Sequence, residues 1–196
     1  MVVFMFNYAC LGKWKIQSLI GQGAQGRVFL LTQTVGEIKH YTALKEVIIP
    51  TVEQRRWLRN SGGTIKQNDV WLEKLKTQVI NEVNALYKLK GHPNIMPIED
   101  HYIEPHPEGF GHVVLLRMPY LKVFNAVWQS NGLTKSMVCD WYLDMSNALA
   151  ACHYAGIVHR DIKPQNMFVE SVGGRSVYKL GDFGIATALG HYDDST

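Results

Sequence analysis

Short apolar runs separated by turn residues dominate the first half of the chain, a pattern that is typical of β-strands. Residues 14–20 and 28–33 flank a glycine-rich segment, and residues 41–49 follow a turn near Gly36. A further run covers residues 112–118. Together these runs predict an antiparallel sheet.

Two segments instead have the three- and four-residue spacing of amphipathic helices. We expect Asn68 or Asp69 to cap the first, which stops near Gly91. Its apolar stripe comprises Leu72, Leu75, Val79, Val83 and Leu86. Before it, residues 50–67 are polar and predict a loop or insertion.

The second helix is expected to begin after Thr134 and to end at Gly156, and short strands then flank a loop at 159–166 and a turn at 181–184. Its predicted buried stripe comprises Val138, Trp141, Tyr142, Met145, Leu149 and Cys152.

Composition narrows the class of protein. The 196 residues suffice for one or two domains, and 46% apolar with 19% charged residues is typical of a globular chain. The net charge of +3 is too small to indicate nucleic acid or a membrane surface, so we predict neither partner.

The cysteines and the N-terminus suggest an intracellular, cytoplasmic protein. Cys10, Cys139 and Cys152 are odd in number and far apart, so we expect small buried residues and no disulfide framework. Residues 1–12 are apolar but too short to cross a bilayer, and no basic residue precedes them. They predict an extra strand or a disordered leader.

The first chemical signal is Gly21-Gln22-Gly23-Ala24-Gln25-Gly26-Arg27-Val28. Glycines let a backbone turn approach phosphate oxygens closely. The dinucleotide-binding version needs a helix directly afterwards, whereas an apolar strand-like run follows here. Taken alone, the motif is more simply explained as an ordinary glycine-rich hairpin.

The second signal is Lys45, in the middle of an apolar strand after Ala43. An unpaired buried lysine is costly, so it needs an anionic partner. Glu82 lies 82 − 45 = 37 positions later, at the edge of the first helix's apolar stripe. A lysine whose ammonium reaches solvent from an edge strand explains Lys45 equally well.

The third signal is His159-Arg160-Asp161-Ile162-Lys163-Pro164-Gln165-Asn166, followed by Asp182-Phe183-Gly184. The two aspartates are 182 − 161 = 21 positions apart. Phosphoryl transfer needs a carboxylate near the attacking hydroxyl, cations on the phosphates and oxygen ligands for Mg²⁺. Asp161, Lys163, and the pair Asn166 and Asp182 can supply these in turn.

With these motifs in this order, residues 13–196 resemble the eukaryotic protein-kinase family. The resemblance implies an α+β fold with a complete N-lobe antiparallel sheet, one helix and the start of a helical C-lobe. It also implies ATP and Mg²⁺ as cofactors. Carried over by motif, Gly21, Gly23, Gly26 and Val28 cover the nucleotide, Lys45 holds its phosphates and pairs with Glu82, Asp161 is the catalytic base, and Asn166 and Asp182 bind magnesium.

Further positions follow from the same resemblance. Lys163, two residues after the base, is similar to the Ser/Thr-kinase pattern. Residues 116–121 resemble the adenine-binding hinge, with Met118 as gatekeeper, the Pro119 carbonyl and the Leu121 N–H. The expected base-binding surface also includes Ile20, Ala43 and Phe168. Residues 166–168 and 179–186 resemble the never-in-mitosis-A-related kinases.

The sequence departs from the family in stopping at Thr196 without an Ala-Pro-Glu motif. We therefore expect a fragment of an ATP-dependent protein Ser/Thr kinase, divided into residues 1–12, an N-lobe and hinge at 13–121, and a partial C-lobe at 122–196. The alternative is a truncated, catalytically incompetent ATP-binding or regulatory module that pairs with a partner. On either view Trp141, Met145 and Leu149 should be largely uncovered, and a partner could cover them.

Overall fold

The computed structural model describes residues 9–23, 26–50, 54, 56, 60, 65–107, 111–183 and 187–188. They group into two compact units. One contains the residues up to 79 together with 99–120, and the other contains 80–98 together with those from 121 onward.

The first unit is built on a five-stranded antiparallel sheet. Its strands are β1 (Lys15–Gly23), β2 (Gly26–Val35), β3 (Ile38–Ile49), β4 (Asp100–Pro105) and β5 (His112–Pro119), in the spatial order β1-β2-β3-β5-β4. The four predicted strands are confirmed, each longer than predicted. Gly36, at φ 61°, forms the turn between β2 and β3. Strand β4 was not predicted, because its polar residues give little strand signal.

One face of this sheet carries an apolar core. Phe29 and Leu44 lie opposite each other on β2 and β3 and are fully buried. Each such side chain contributes roughly 1.5–3 kcal/mol when buried. Leu11 packs into the same cluster from a 3₁₀ turn at Ala9–Leu11. This turn stands where an extra strand or disordered leader was expected, and residues 1–8 lie outside the described residues.

Helix α1 (Ile65–Lys88) contains the first predicted helix but differs at its start. Asn68 and Asp69 lie inside it, so the predicted N-cap is wrong. Gln54, Arg56 and Asn60 are also helical where a loop was predicted, and the rest of 51–64 lies outside the described residues. Gln, Lys and Arg favour helices well enough to outweigh a weak polar-loop signal.

The end and the stripe of α1 agree better with the sequence. Gly91, at φ 89°, follows the helix C-terminus. The predicted stripe is at least partly buried along its whole length: Leu72, Val83 and Leu86 are buried, and Leu75 and Val79 are half-buried.

The second unit contains small sheets and two further helices. Strand β6 (Lys122–Val123) leads into α2 (Phe124–Asn131), and α3 (Lys135–Tyr154) is followed by β7 (Ile157–Val158). Strands β8 (Met167–Val172) and β9 (Arg175–Leu180) form a three-stranded sheet with β6, and β10 (Thr187–Ala188) pairs with β7. The Thr134 hydroxyl accepts a hydrogen bond from the Met137 N–H at 3.2 Å, so the predicted cap of α3 is confirmed.

The predicted buried face of α3 is partly wrong. Val138 and Tyr142 are exposed, Tyr142 by 64%. Burial of Met145 and Cys152 is confirmed, and Ala148, which was not predicted, is buried with them. These three residues are spaced by three and four positions, and the helix packs against β9.

The expectation that Trp141, Met145 and Leu149 are largely uncovered is wrong. The Trp141 ring stacks on Phe124 with centroids 5.7 Å apart, and its Nε1 donates to the Met167 sulfur at 3.3 Å. Met145 is buried and Leu149 is half-buried. The side chains that cover Trp141 come from α2 and β8, and α2 was not predicted from the sequence.

The cysteines differ in environment. All three are free thiols: Cys152 is buried, Cys10 is half-buried and Cys139 is exposed. Burial was therefore wrongly predicted for Cys139, which lies one turn before the exposed Leu143 on α3. Among the described residues, no helix is both long and apolar enough to cross a membrane.

Candidate active site

The glycine-rich motif forms the end of a β-hairpin. Strand β1 ends at Gly23, which pairs with Gly26 at the start of β2. Residues 24 and 25 lie outside the described residues. A strand follows the motif where a dinucleotide-binding fold would have a helix, as the sequence analysis predicted.

Of the glycines in this motif, Gly26 has the tightest surroundings. Its φ of +144° is a backbone conformation that L-residues with side chains rarely adopt. A Cβ there would lie 1.9 Å from the Glu46 carbonyl oxygen. At Gly23 a Cβ would meet nothing within 4 Å. The end of β2 is therefore pressed directly against the backbone of β3.

A buried ion pair reinforces the same contact. Arg27 Nη2 lies 2.6 Å from Glu46 Oε1, and the Glu46 side chain is only 1% exposed. The Arg27 guanidinium also lies over the Phe29 ring, 5.3 Å from its centroid. Neither partner was singled out from the sequence, because strand register alone brings residues 19 positions apart together.

The face of the sheet opposite the apolar core carries predicted nucleotide-binding side chains of the first unit. Lys45 is half-buried on β3 and lies opposite Val28 on one side and Leu116 on the other. Ala43 is buried and pairs with Met118. Because β3 is the central strand of the sheet, Lys45 is not a lysine on an edge strand, which was the alternative interpretation.

Other predicted positions vary in exposure. Ile20 on β1 is exposed, and Pro119 ends β5. Leu121 is half-buried and belongs to the second unit. The Glu82 side chain lies outside the described residues, so its pairing with Lys45 stays a prediction.

In the second unit, three predicted catalytic side chains meet. Lys163 Nζ lies 2.7 Å from Asp161 Oδ2. Asn166 Nδ2 donates to the same oxygen and to the Asp161 carbonyl, each at 2.9 Å. The hydrogen bond from Lys163, followed by that from Asn166, holds the pKa of the Asp161 carboxyl below its ordinary value. Asp161 is therefore an ionised, oriented carboxylate at neutral pH.

His159 joins this loop to the segment that carries Asp182. Its Nδ1 accepts a hydrogen bond from the Asp161 N–H at 3.3 Å, which assigns the ring proton to Nε2. Nε2 therefore donates to the Gly181 carbonyl at 2.9 Å. Burial lowers the pKa of His159, which favours this neutral ring. The Gly181 N–H in turn donates to the Asn166 carbonyl at 2.9 Å. No separate role was predicted for His159 from the sequence.

Backbone strain is concentrated at the same place. Among the described residues other than glycine, only Arg160 and Asp182 have positive φ, at 64° and 61°. Such strain persists where surrounding contacts enforce it, and it is common at active sites. Here Phe183 is fully buried with its ring 4.6 Å from that of His159, which helps to fix Asp182 between two anchored neighbours.

Phe168 and residues 94–96, which precede β4, pack closely around residues 180 and 181. A Cβ on Gly181 would lie 2.9 Å from Phe168 Cε2 and 3.1 Å from Met96 Cβ. Leu180 exchanges backbone hydrogen bonds with Asn94 and Met96, each at 2.8 Å. The sequence analysis did not single out residues 94–96.

The residues present fit a magnesium ion. Asn166 commits its amide nitrogen to Asp161, so its oxygen is the atom that can bind a cation. Asp182 offers a second hard oxygen ligand. The described residues contain no cluster of three or more His, Cys, Asp or Glu side chains suited to a metal. Magnesium at phosphoryl-transfer sites needs only one or two protein carboxylates, because phosphate and water complete its shell.

Comparison with known proteins agrees with this geometry. Residues 14–195 match the protein kinase domain family. The chain belongs to the protein kinase family. The protein-kinase-like α+β fold predicted from the sequence is thereby confirmed.

Relatives of this kinase chain come from several groups. It is 26% identical over 191 residues to cyclin-dependent kinase 20 of Danio rerio, covering 97% of the chain and 46% of that protein. It is 23% identical over 181 residues to CBL-interacting serine/threonine-protein kinase 7 of Arabidopsis thaliana, covering 92% and 36%. Identity to serine/threonine-protein kinase DCLK2 of Homo sapiens is 38% over 110 residues, covering 56% and 14%. The kinase chain thus spans less than half the length of each of these relatives.

Proposed function

We propose that the protein is a Ser/Thr kinase that transfers the γ-phosphoryl group of Mg·ATP to a protein hydroxyl. The observation that carries this proposal is the Asp161 carboxylate, held by Lys163 at 2.7 Å and Asn166 at 2.9 Å. A carboxylate that stays ionised can accept the proton of the substrate hydroxyl. The neighbouring cation can compensate negative charge on the transferred phosphoryl group.

The reaction assigns one task to each of these groups. The substrate hydroxyl oxygen bonds to the γ-phosphorus, its proton passes to Asp161, and the bond to the β,γ-bridging oxygen breaks to release ADP. Lys163 compensates charge on the transferred group and orients Asp161. Asn166 holds the carboxylate from its other side.

Magnesium bound by Asn166 and Asp182 would supply charge compensation on the ATP phosphates. The hydrogen bonds of His159 and Gly181 link the loop that carries Asn166 to the segment that carries Asp182. Positioning of this kind accounts for much of catalysis in phosphoryl transfer, where the protein does little covalent chemistry.

The nucleotide is proposed to contact the first unit along one face of its sheet. Lys45 would bind the α- and β-phosphates, while Gly21, Gly23 and Gly26 cover them. Within this unit, Ala43, Met118 and Pro119 would bind the base.

The test is phosphotransfer by Asp161→Asn, with Asp140→Asn as a matched control on the exposed surface of α3. We expect Asp161→Asn to lose transfer of label from γ-labelled ATP to a Ser/Thr-containing protein, whereas Asp140→Asn keeps it. Both variants should bind Mg·ADP like the wild type in calorimetry. Equal transfer by Asp161→Asn would show that Asp161 is not the base.

A second candidate is an ATP-binding module that pairs with a partner, and the exposed face of α3 favours it. Tyr142 and Leu143 are exposed by 64% and 58%. An exposed apolar pair of this kind marks a candidate interaction surface. Wild-type chain that binds Mg·ADP but transfers no label, and that gains a binding partner lost in Leu143→Lys, would favour this candidate. The assignment to the never-in-mitosis-A-related kinases stays a prediction.

A further inference from the structure

A polar network lies behind the proposed base-binding residues of the first unit. Thr42 on β3 is 1% exposed, and its Oγ1 lies 2.6 Å from the Met118 carbonyl oxygen. The same Oγ1 lies 2.9 Å from Glu99 Oε2. Thr42 directly precedes Ala43, and Met118 directly precedes Pro119. The network therefore adjoins the residues of β3 and β5 that are proposed to bind the base.

A side-chain hydrogen bond joins β3 and β5 at this point of the sheet. Thr42 lies opposite Pro119 in the β3–β5 register. The Thr42 hydroxyl supplies an additional bond one residue earlier, at the Met118 carbonyl. It thereby restrains the peptide plane between Met118 and Pro119.

The hydroxyl proton can serve only one acceptor at a time, so Met118 and Glu99 compete for it. Arg117 decides the competition, since its Nη1 lies 2.7 Å from the same Glu99 oxygen that faces Thr42. Because the Arg117 guanidinium already donates to this Glu99 oxygen, the Thr42 hydroxyl is favoured to donate to the Met118 carbonyl.

Arg117 is itself held from two further sides. Its guanidinium carbon lies 5.3 Å from the centroid of the Trp14 ring. Its Nη2 lies 3.7 Å from Asp100 Oδ2, an oxygen that accepts from the Tyr102 hydroxyl at 2.7 Å. The position of the guanidinium is thus defined by Trp14, directly before β1, and by Asp100 on β4.

We propose that Thr42, Glu99 and Arg117 are positioning residues for adenine: they orient the Met118–Pro119 peptide and hence the Pro119 carbonyl that receives the base. This inference rests on the proposed function. It predicts an effect on affinity for the base and none specific to the phosphates.

The experiment measures binding of adenosine and of Mg·ADP to the full chain by calorimetry. Thr42→Val keeps the β-branched shape and removes the hydroxyl, whereas Thr42→Ser keeps the hydroxyl. Thr42→Val should weaken both ligands by the same factor, about fivefold, as expected for one hydrogen bond. Thr42→Ser should stay close to the wild type. Arg117→Gln should lower both affinities in the same direction.

Two comparison variants separate this role from a general loss of structure. Lys45→Met should weaken Mg·ADP and leave adenosine unchanged, because Lys45 is assigned to the phosphates. Lys39→Gln removes another cation on β3, 5.5 Å from the Tyr41 ring centroid, and should change neither affinity.

The outcomes are distinct. Wild-type affinity of Thr42→Val for both ligands would overturn this inference while leaving the proposed function intact. Equal losses in Thr42→Val and Thr42→Ser would also overturn it, since the hydroxyl would then not matter. A wild-type chain that binds neither ligand would overturn the proposed function, and this inference with it.

Discussion

Substitution of Gly26 by alanine should damage the protein far more than the same change at Gly23. The two glycines belong to one motif and pair with each other across the hairpin. Only Gly26 combines a φ of +144° with a Cβ position 1.9 Å from the Glu46 oxygen. Its neighbours there are backbone atoms, which cannot rotate away as a flexible side chain can.

The magnitude follows from that contact. Real Cβ atoms essentially never approach closer than 3.0 Å, so β2 and β3 must separate by at least 3.0 − 1.9 = 1.1 Å. Overpacking of this kind costs about 1–3 kcal/mol. The strained φ adds about 1 kcal/mol or more. We therefore expect a total loss of about 2–4 kcal/mol.

Thermal unfolding measures this directly. At about 2–4 °C per kcal/mol for a chain of this size, Gly26→Ala should lower Tm by about 4–16 °C. Gly23→Ala, with open space around the new methyl group, should stay within about 2 °C of the wild type. Equal Tm values for the two variants would refute the close contact between β2 and β3.

Three further predictions concern the second unit. Cys139 should react quickly with a maleimide and Cys152 only on unfolding, because burial raises the Cys152 pKa to about 11; rapid labelling of Cys152 in the native chain would contradict this. Thr134→Ala should lower stability by about 1 kcal/mol, with Thr134→Ser restoring it; no difference in urea midpoint would mean that the cap is unimportant. Because burial lowers the folded-state pKa of His159, the unfolded chain binds more protons as pH falls through the ordinary value of 6.5. Wild-type Tm should then fall more steeply than that of His159→Asn between pH 6.5 and 5, and parallel curves would argue against a neutral His159.

The sequence predicted elements whose signal is local. Strands β2 and β3 contain runs rich in apolar and β-branched residues, and Thr134 is a polar cap directly before a periodic segment, so the strands and the cap were predictable. Asn68 offered the same kind of cap signal and was misleading, because a weak preference of about 1 kcal/mol does not stop a helix that starts earlier.

Long-range contacts decided what the sequence could not predict. Thr42 and Glu99 are 57 positions apart, and nothing in either neighbourhood marks them as a pair. The covering of Trp141 depends on α2, which is too short for a clear periodic pattern. At the site, residue types and order were enough to nominate Asp161 and Lys163. Their 2.7 Å contact required the folded loop.

The central claim is tested most directly by phosphotransfer from γ-labelled Mg·ATP, comparing the wild-type chain with Asp161→Asn at matched nucleotide binding. We predict label on a Ser or Thr of a protein substrate with the wild type and none with the variant. Transfer that persists unchanged in Asp161→Asn, or wild-type chain that binds Mg·ATP yet transfers no label to any Ser/Thr-containing substrate, would contradict it.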